Sequence, residues 1–359
     1  RDRLRSRGLG DVYKRQPMGG ENPIRIQSMA NVSTMDTEAA VAQAIRMIEA
    51  GAEYVRFTAQ GEREARNLGE IRKQLNEQGY TTPLVADIHF NPRAADAAAG
   101  EVEKVRINPG NYVDKVKTFS HLEYTDEEYA AEIERIRERF VPFLNICKAH
   151  GTAIRIGVNH GSLSDRIMSR YGDTPEGMVA SCMEFLRICR EENFPDVVIS
   201  IKASNTVVMV RTVRLLVRTM EAENMHYPLH LGVTEAGDGE DGRIKSAVGI
   251  GTLLCDGIGD TIRVSLSEDP EAEMPVARKL VDYIRERENH RPIEASMAPG
   301  FDTVATSRRI SRVVEGIGGT FSPVVISDRS SGDFEFDYLS LPDYIYCLLY
   351  TSDAADDLI

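Results

Sequence analysis

Eight short apolar runs recur along this chain, and nearly every one ends in a polar residue. The runs cover positions 24–29, 53–57, 84–88, 104–107, 153–158, 197–201, 229–233 and 261–264. A helix-length amphipathic segment lies between most of them, and this alternation is typical of βαβ units with a parallel sheet. Eight such units predict an α/β fold, the (β/α)₈ TIM barrel, in which reactive groups stand at the carboxyl ends of the strands.

Five of the predicted strands carry a cation at or near the carboxyl end. These residues are Arg56, Arg106, Arg155, Lys202 and Arg263. A barrel gathers its strand ends in one place, and an inward ring of Arg and Lys is costly unless something strongly anionic fills it. The planar guanidinium also matches phosphate oxygens in a bidentate way. The pattern therefore predicts a site for a phosphorylated small molecule.

The overall composition excludes several other classes of protein. A formal charge of −13 on 359 residues argues against a nucleic-acid partner. No apolar run approaches the roughly 20 residues that span a bilayer, so no membrane segment is expected. The five cysteines are odd in number and form no C-x₂-C pair, which favours a reducing cytoplasm. Cys182 and Cys189 lie among apolar residues on one predicted helix, which favours core thiols over metal ligands.

The two ends of the chain differ from the middle. Residues 1–16 and 347–359 resemble translated sequencing-adapter read-through, so we exclude both segments from fold reasoning. The barrel is expected to occupy residues 17–290. From Arg291 a new unit begins, and residues 291–346 are expected to be the truncated start of a second domain.

Two further residues at the predicted rim are candidates for chemistry. His89 follows the third strand, where the simpler interpretation is a capped strand-end histidine. Glu235 follows the seventh strand and is the main carboxylate of the rim. Bound negative charge nearby would favour its protonated form, which suits a proton donor. The simpler alternative is that Glu235 only pairs with Arg263 or Lys202.

Eight motifs in order carry a family resemblance. They are NPIRIQSMANVSTMDTEA, YVRFTAQG, LVADIHFNPRAA, KVRINPGN, AIRIGVNHGSL, VISIKAS, LGVTEAG and GIGTLLCDGIGDTIRVSLS. Together they resemble the 4-hydroxy-3-methylbut-2-enyl diphosphate synthases, iron–sulfur enzymes of the non-mevalonate (methylerythritol phosphate) isoprenoid pathway. The resemblance covers about residues 23–267. It implies the reductive ring opening of 2-C-methyl-D-erythritol 2,4-cyclodiphosphate with two electrons delivered through a 4Fe–4S cluster.

The same resemblance implies roles for individual residues. Glu235 would serve the reacting end of the substrate as the catalytic proton donor, with Thr234 beside it. The remaining residues would hold the diphosphate and hydroxyl groups: Arg56, His89, Arg106, Asn108, Arg155, Asn159, Lys202, Arg263 and Ser265.

The chain departs from the family in one respect. The family holds its cluster on three cysteines and a glutamate in a C-terminal domain, and nothing here matches that set. We therefore expect no metal ligands in this chain, and expect the unit from Arg291 to be the start of the insert found in the longer, three-domain members. The resemblance also implies a ferredoxin or flavodoxin type electron donor and a cytoplasmic enzyme, and leaves a homodimer open.

Two alternatives to this assignment remain at the level of sequence. One is a pterin-handling barrel of the dihydropteroate synthase type, although five cations favour a diphosphate. The other is a non-catalytic, ligand-binding fragment. We expect the chain as it stands to bind the cyclic diphosphate without turning it over.

Overall fold

The computed structural model describes residues 17–88, 90–113, 123–287, 309–331 and 341–346, with positions 290, 291, 294 and 296. The chain divides into two compact units, Arg1–Val304 and Ala305–Ile359. The first unit holds strands β1 (Arg25–Met29), β2 (Tyr54–Ala59), β3 (Leu84–Ile88), β4 (Lys104–Ile107), β5 (Ala153–Asn159), β6 (Val197–Lys202), β7 (His230–Leu231) and β8 (Thr261–Ile262).

These eight strands form one parallel sheet that closes on itself. Their order is β6-β5-β4-β3-β2-β1-β8-β7, and a parallel bridge between Ile199 and Leu229 joins β6 to β7. The predicted TIM barrel is confirmed. The last two strands are shorter than their apolar runs, because beyond Leu231 and Ile262 only isolated backbone bonds continue the pairing. One of them runs from Arg263 N to Leu231 O at 2.9 Å.

The strands alternate between a mostly apolar outer face and a largely polar inner face. In β2, Val55 and Phe57 belong to the main core between sheet and helices, whereas Arg56 faces the barrel interior. A separate small apolar cluster lies inside the barrel and consists of Met18, Tyr54, Val85 and Val198. Because successive side chains of a strand point to opposite faces, every second residue of each apolar run faces the barrel interior.

Helices cover the outside of the barrel. They are α1 (Thr37–Glu49), α2 (Glu62–Glu77), α3 (Pro92–Ala99), α4 (Pro109–Tyr112), α5 (Asp126–His150), α6 (Asp165–Tyr171), α7 (Pro175–Glu191), α8 (Thr206–Ala222), α9 (Gly239–Cys255) and α10 (Glu273–Arg285), the last preceded by a 3₁₀ turn at Pro270–Ala272. Within the described ranges, no helix is both long and apolar enough to cross a membrane.

Local capping chemistry explains where several helices begin. Thr125 accepts a bond from Glu128 N while the Glu128 side chain accepts one from Thr125 N, so a capping box starts α5. At α1 the cap is Asp36, which accepts a bond from Ala39 N. At α9 the cap position is Asp238, and the acidic, glycine-rich residues 239–242 form the first turn of the helix.

The second unit is small in its described part. Strand β9 (Ile326–Asp328) pairs in parallel with β10 (Tyr344–Tyr346). Val314 and Ile317 form a tight antiparallel bridge nearby in the chain. The start of a second domain at Arg291 stays a prediction.

Candidate functional site

The register of the closed sheet arranges the inward side chains in layers. In such a barrel the inward residues of alternate strands lie at one height, in groups of four. Following the strand pairs around the barrel gives a lower layer of Gln27, Val85, Arg155 and His230. Above it comes the cation layer of Arg56, Arg106, Ser200 and Arg263. Next is the glycine layer of Met29, Asp87, Gly157 and Gly232, and then the upper layer of Thr58, Asn108, Lys202 and Ser265.

Asp87 ties together two arginines of the cation layer. Its Oδ2 lies 3.1 Å from Arg56 Nη2, and its Oδ1 accepts a bond from Arg106 Nη1 at 3.0 Å. Arg106 Nη2 also donates to Gly157 O at 2.8 Å. Burial lowers the pKa of Arg56 to about 10, although the Asp87 charge opposes that shift. One carboxylate therefore orients two guanidinium groups and neutralises part of their charge.

Arg263 has its own carboxylate, Glu273 at the start of α10. The pair is bidentate, with Nη2 to Oε1 at 3.0 Å and Nε to Oε2 at 3.2 Å. Glu273 also accepts a bond from Ser28 Oγ at 2.7 Å, so the last helix is joined to β1 and β8 through buried polar contacts. Between Arg56 and Arg263 stands Met29, whose Sδ lies 2.7 Å from Arg56 Nη2 and 3.4 Å from Arg263 Nη1.

Arg155 and Lys202 are buried cations without a carboxylate partner among the described residues. Arg155 is 1 % exposed, and its Nε and Nη1 have no hydrogen-bond partner there. Burial holds the pKa of Arg155 well below its ordinary value, and Arg56 and Arg106 lower it further. Burial likewise lowers the pKa of Lys202, with Arg56 and Arg155 next in effect. A guanidinium nevertheless stays protonated in proteins. Burial of this charge without a counter-ion therefore destabilises the folded barrel.

The balance of charge inside the described part of the barrel is positive. Near the carboxyl ends of the strands, the five predicted cations face two carboxylates, Asp87 and Glu273, which leaves a surplus of three positive charges, and the buried Lys104 adds a sixth cation lower in the interior. Two of these three surplus charges lie on β5 and β6, where Arg155 and Lys202 are, and the third belongs to Arg56 and Arg106, which share Asp87. An anionic group entering from the carboxyl face would neutralise this surplus.

Two glycines keep the route to Arg155 open. A Cβ on Gly157 would lie 2.3 Å from Arg106 Nε, and a Cβ on Gly232 would lie 3.1 Å from Lys202 Nζ. The cationic side chains of β4 and β6 therefore cross the neighbouring strands at the positions where no side chain stands. The same gap in the glycine layer lies above Arg155 and His230.

Glu235 stands just beyond the end of β7 in an uncommon backbone conformation. Its φ of +52° lies in the left-handed region, which non-glycine residues adopt rarely and which is enriched at functional sites. The side chain is exposed, and its carboxylate makes no hydrogen bond or ion pair with any residue the structure describes. The alternative pairing with Arg263 is absent, because Arg263 binds Glu273.

The other predicted residues of the rim differ in their environment. Asn108 is buried and caps α4 by accepting from Gly110 N at 3.2 Å. Asn159 ends β5 directly beside Lys202 in the strand register. Thr234 and Ser265 are half-buried, and Thr234 Oγ1 has no partner in the described chain. His89 lies outside the described residues. The ligand contacts of all these side chains stay predictions.

Sequence reasoning missed several residues of the interior. Asp87 and Glu273 orient the arginines, while Gln27, Lys104 and His230 face the interior from β1, β4 and β7. The period-two pattern inside each run would have identified Gln27, Lys104 and His230. No local pattern points to Glu273, because its contact with Arg263 depends on how α10 packs against the barrel.

The described residues do not fit an iron–sulfur cluster. No group of three or more His, Cys, Asp or Glu side chains among them has a geometry that could hold a metal ion. Cys147, Cys182 and Cys189 are buried in the helical shell. Burial raises the pKa values of Cys182 and Cys189, so both stay protonated thiols and not the thiolates that bind iron.

Comparison with known proteins agrees with this geometry. Residues 12–278 match the family description "GcpE TIM-barrel domain". The chain is 70% identical over 330 residues to the 4-hydroxy-3-methylbut-2-en-1-yl diphosphate synthase (flavodoxin) of Bacteroides thetaiotaomicron, a match that covers 92% of this chain and 54% of the relative. The enzyme of the same name from Porphyromonas gingivalis is 61% identical, with 94% and 57% covered. The chain thus spans about half the length of these relatives.

Among solved structures, a 3-dehydroquinate dehydratase from Geobacillus kaustophilus has a TM-score of 0.50 at 11% identity, covering 80% of this chain and 100% of that one. A dihydropteroate synthase from Stenotrophomonas maltophilia has a TM-score of 0.48 at 14% identity, covering 76% and 95%. At such identities the likeness concerns the fold alone.

Proposed function

This chain belongs to the GcpE TIM-barrel family, and on that premise we propose that its barrel binds 2-C-methyl-D-erythritol 2,4-cyclodiphosphate. The whole protein would open the ring of this substrate reductively to give 4-hydroxy-3-methylbut-2-enyl diphosphate, as an oxidoreductase of isoprenoid biosynthesis. The observation that carries the proposal is the uncompensated positive charge of Arg155 and Lys202 inside the barrel. A bound diphosphate would supply the negative charge that neutralises these two side chains.

The five cations would contribute differently to binding, depending on whether each already has a carboxylate partner. Arg155 and Lys202 have no carboxylate partner in the described chain, so the diphosphate is proposed to bind them first and most strongly. Arg56, Arg106 and Arg263 are already oriented by Asp87 or Glu273 and would offer their remaining N–H groups. Asn108, Asn159, Ser265 and His89 would complete the contacts to diphosphate and hydroxyl oxygens.

Glu235 is proposed to hold and deliver a proton at the reacting end of the substrate. Its left-handed backbone and its lack of a partner in the described chain support a carboxyl group kept free for substrate. Proximity to the bound diphosphate would favour the protonated form by repulsion between like charges. Thr234, the preceding residue, would help orient the same end of the substrate.

The electrons would come from outside this chain. The family resemblance implies a 4Fe–4S cluster, and we propose that its ligands lie in the part of the protein this chain does not span. The names of the relatives support a flavodoxin as donor, with a ferredoxin as the alternative. A cytoplasmic enzyme with a barrel at 17–290 and an insert beginning at 291 completes the proposal, and a homodimer stays open.

Titration calorimetry tests the binding half of this proposal. The purified chain is titrated with the cyclic diphosphate and, separately, with 6-hydroxymethylpterin. We expect a dissociation constant in the range of about 1 μM to 1 mM for the diphosphate, and none measurable for the pterin. Binding of the pterin alone would favour the dihydropteroate synthase type instead.

A turnover assay tests the other half. With iron, sulfide and a reductant supplied, the chain is expected to form no 4-hydroxy-3-methylbut-2-enyl diphosphate. Iron-dependent product formation by this chain would contradict the proposal that the cluster ligands lie elsewhere.

A further inference from the structure

The charged ends of three arginines meet at the glycine layer of the barrel. Arg106 Nη2 donates to the carbonyl oxygen of Gly157 at 2.8 Å. Arg56 Nη2 lies 2.7 Å from Met29 Sδ, and Arg263 Nη1 lies 3.4 Å from the same atom. Because Gly157 and Met29 both belong to this layer, the three guanidinium groups lie at about one height.

The amine of Lys202 reaches the same height. Its backbone lies one layer above, at the end of β6. A Cβ on Gly232, which belongs to the glycine layer, would lie 3.1 Å from both Cε and Nζ of Lys202. Since Gly232 has no side chain, none from this position covers the amine. One primary amine therefore shares a level of the barrel with three guanidinium groups.

The surroundings of Lys202 favour its neutral form. Burial lowers the pKa of Lys202 well below its usual value of 10.5, and the charges of Arg56 and Arg155 lower it further. The carboxylates of Asp87 and Glu273 are bound to arginines, and no carboxylate of the described chain pairs with the lysine. A guanidinium stays protonated in proteins, so Lys202 is the cation of this group that can release its proton.

A neutral lysine amine next to other cations is a nucleophile for carbonyl carbons. In this barrel the amine stands beside guanidinium groups, which match the geometry of phosphate oxygens. We propose that the barrel captures small phosphorylated aldehydes, with the phosphate held by the arginines and the aldehyde carbon bonded to Lys202 Nζ as an imine. The imine site uses the same cations as the proposed function but goes beyond it, because it takes a different class of ligand and forms a covalent bond.

The covalent step needs no reagent besides the amine and the aldehyde. The lone pair of Nζ attacks the aldehyde carbon, the C=O π electrons move to oxygen, and one proton passes from nitrogen to oxygen. The resulting carbinolamine then loses its hydroxyl group with the second amine proton as water, which leaves a C=N bond. Nothing is oxidised or reduced, and water reverses the reaction. Burial, the larger cause of the low pKa, persists when phosphate binds.

Pyridoxal 5′-phosphate tests the proposal, because it carries an aldehyde and a phosphate on one small ring. The chain is incubated with this probe and sodium cyanoborohydride, whose hydride reduces the imine carbon and makes the adduct permanent. Peptide mapping by mass spectrometry then locates the label. We expect Lys202 to be labelled about tenfold faster than the exposed Lys279 of α10, because the phosphate anchors the probe.

Competition and variants show whether the arginines take part. Pyridoxal, which lacks the phosphate, should not prefer Lys202, and inorganic pyrophosphate should protect Lys202 but not Lys279. Arg155→Met removes a charge that lowers the pKa of Lys202 and should slow labelling of Lys202 by about tenfold. Lys279→Met is the matched control and should leave labelling of Lys202 within about twofold.

The outcomes separate this inference from the proposed function. Label on exposed lysines such as Lys279 with none on Lys202, in a chain that binds pyrophosphate by calorimetry, would overturn the inference and leave the anion site standing. Equal labelling of Lys202 by pyridoxal and by its phosphate would overturn the role of the arginines as the phosphate anchor. If Lys202 is labelled selectively but the cyclic diphosphate neither binds nor protects it, the proposed function fails and this inference stands.

Discussion

Arg155→Met should make the barrel more stable and its anion site weaker. In the native chain Arg155 is buried among other cations without a carboxylate partner in the described part. Replacing such a charge with an apolar side chain of similar length is expected to stabilise the ligand-free fold by about 1–4 kcal/mol. Each kcal/mol corresponds to about 2–4 °C in melting temperature for a domain of this size. The lost charged hydrogen bonds should cost about 1.5–3 kcal/mol in diphosphate binding, about 10- to 150-fold in affinity.

Thermal unfolding with and without inorganic pyrophosphate measures both effects, and Arg166→Met is the matched control. Arg166 is also buried, at 2 % exposed, but it forms an ion pair with the buried Glu184. Removing it leaves that buried carboxylate without its cationic partner, with only the Tyr129 hydroxyl still donating to it, and should destabilise the fold by about 3–5 kcal/mol. If Arg155→Met destabilises the fold as Arg166→Met does and leaves pyrophosphate binding unchanged, the reasoning about uncompensated charge is refuted.

Three further predictions concern other parts of the site. Gly157→Ala should weaken pyrophosphate binding by about tenfold, because the new Cβ would lie 2.3 Å from Arg106 Nε and displace it; calorimetry with unchanged affinity would contradict this. Burial in the folded state lowers the pKa of His230 below 6.5, so below that pH the unfolded chain binds a proton at this residue that the folded chain does not bind. The free energy of unfolding should therefore decrease as the pH drops below about 6.5, by at most about 1.4 kcal/mol per pH unit. Urea unfolding should show a shallower decline for His230→Asn, and identical slopes would count against a neutral buried ring. In the full-length enzyme, Glu235→Gln should lower kcat by about 10²–10⁴-fold with little change in substrate affinity, and steady-state kinetics showing the reverse would make Glu235 a positioning group.

The ends of a helix could be predicted from the sequence where residues close to them in the chain determine where the helix begins and ends. The bounds of α5 could be predicted because the Thr125 capping box starts it and Gly151, with a left-handed φ of +65°, ends it. The start of α9 could not, because its glycine-rich first turn has low helix propensity. There Gly242 packs so closely that a Cβ would lie 2.5 Å from Gly237 O, a tertiary contact that no local pattern reports.

The cations of the candidate site could be predicted from the sequence, whereas their carboxylate partners could not. Arg56, Arg106 and Arg155 interrupt apolar runs, and the fold class alone implies that they gather in one place. Which of them carries a carboxylate depends on the shear of the barrel, which sets the heights of the layers, and on the packing of α10. The difference between paired and unpaired arginines, on which the proposed function rests, therefore emerges only from the three-dimensional structure.

A crystal structure of this chain with the cyclic diphosphate bound tests the central claim most directly. We predict diphosphate oxygens within hydrogen-bond distance of both Arg155 and Lys202, in the gap left by Gly157 and Gly232. An ordered diphosphate held elsewhere, with Arg155 and Lys202 making no contact to it, would contradict the account.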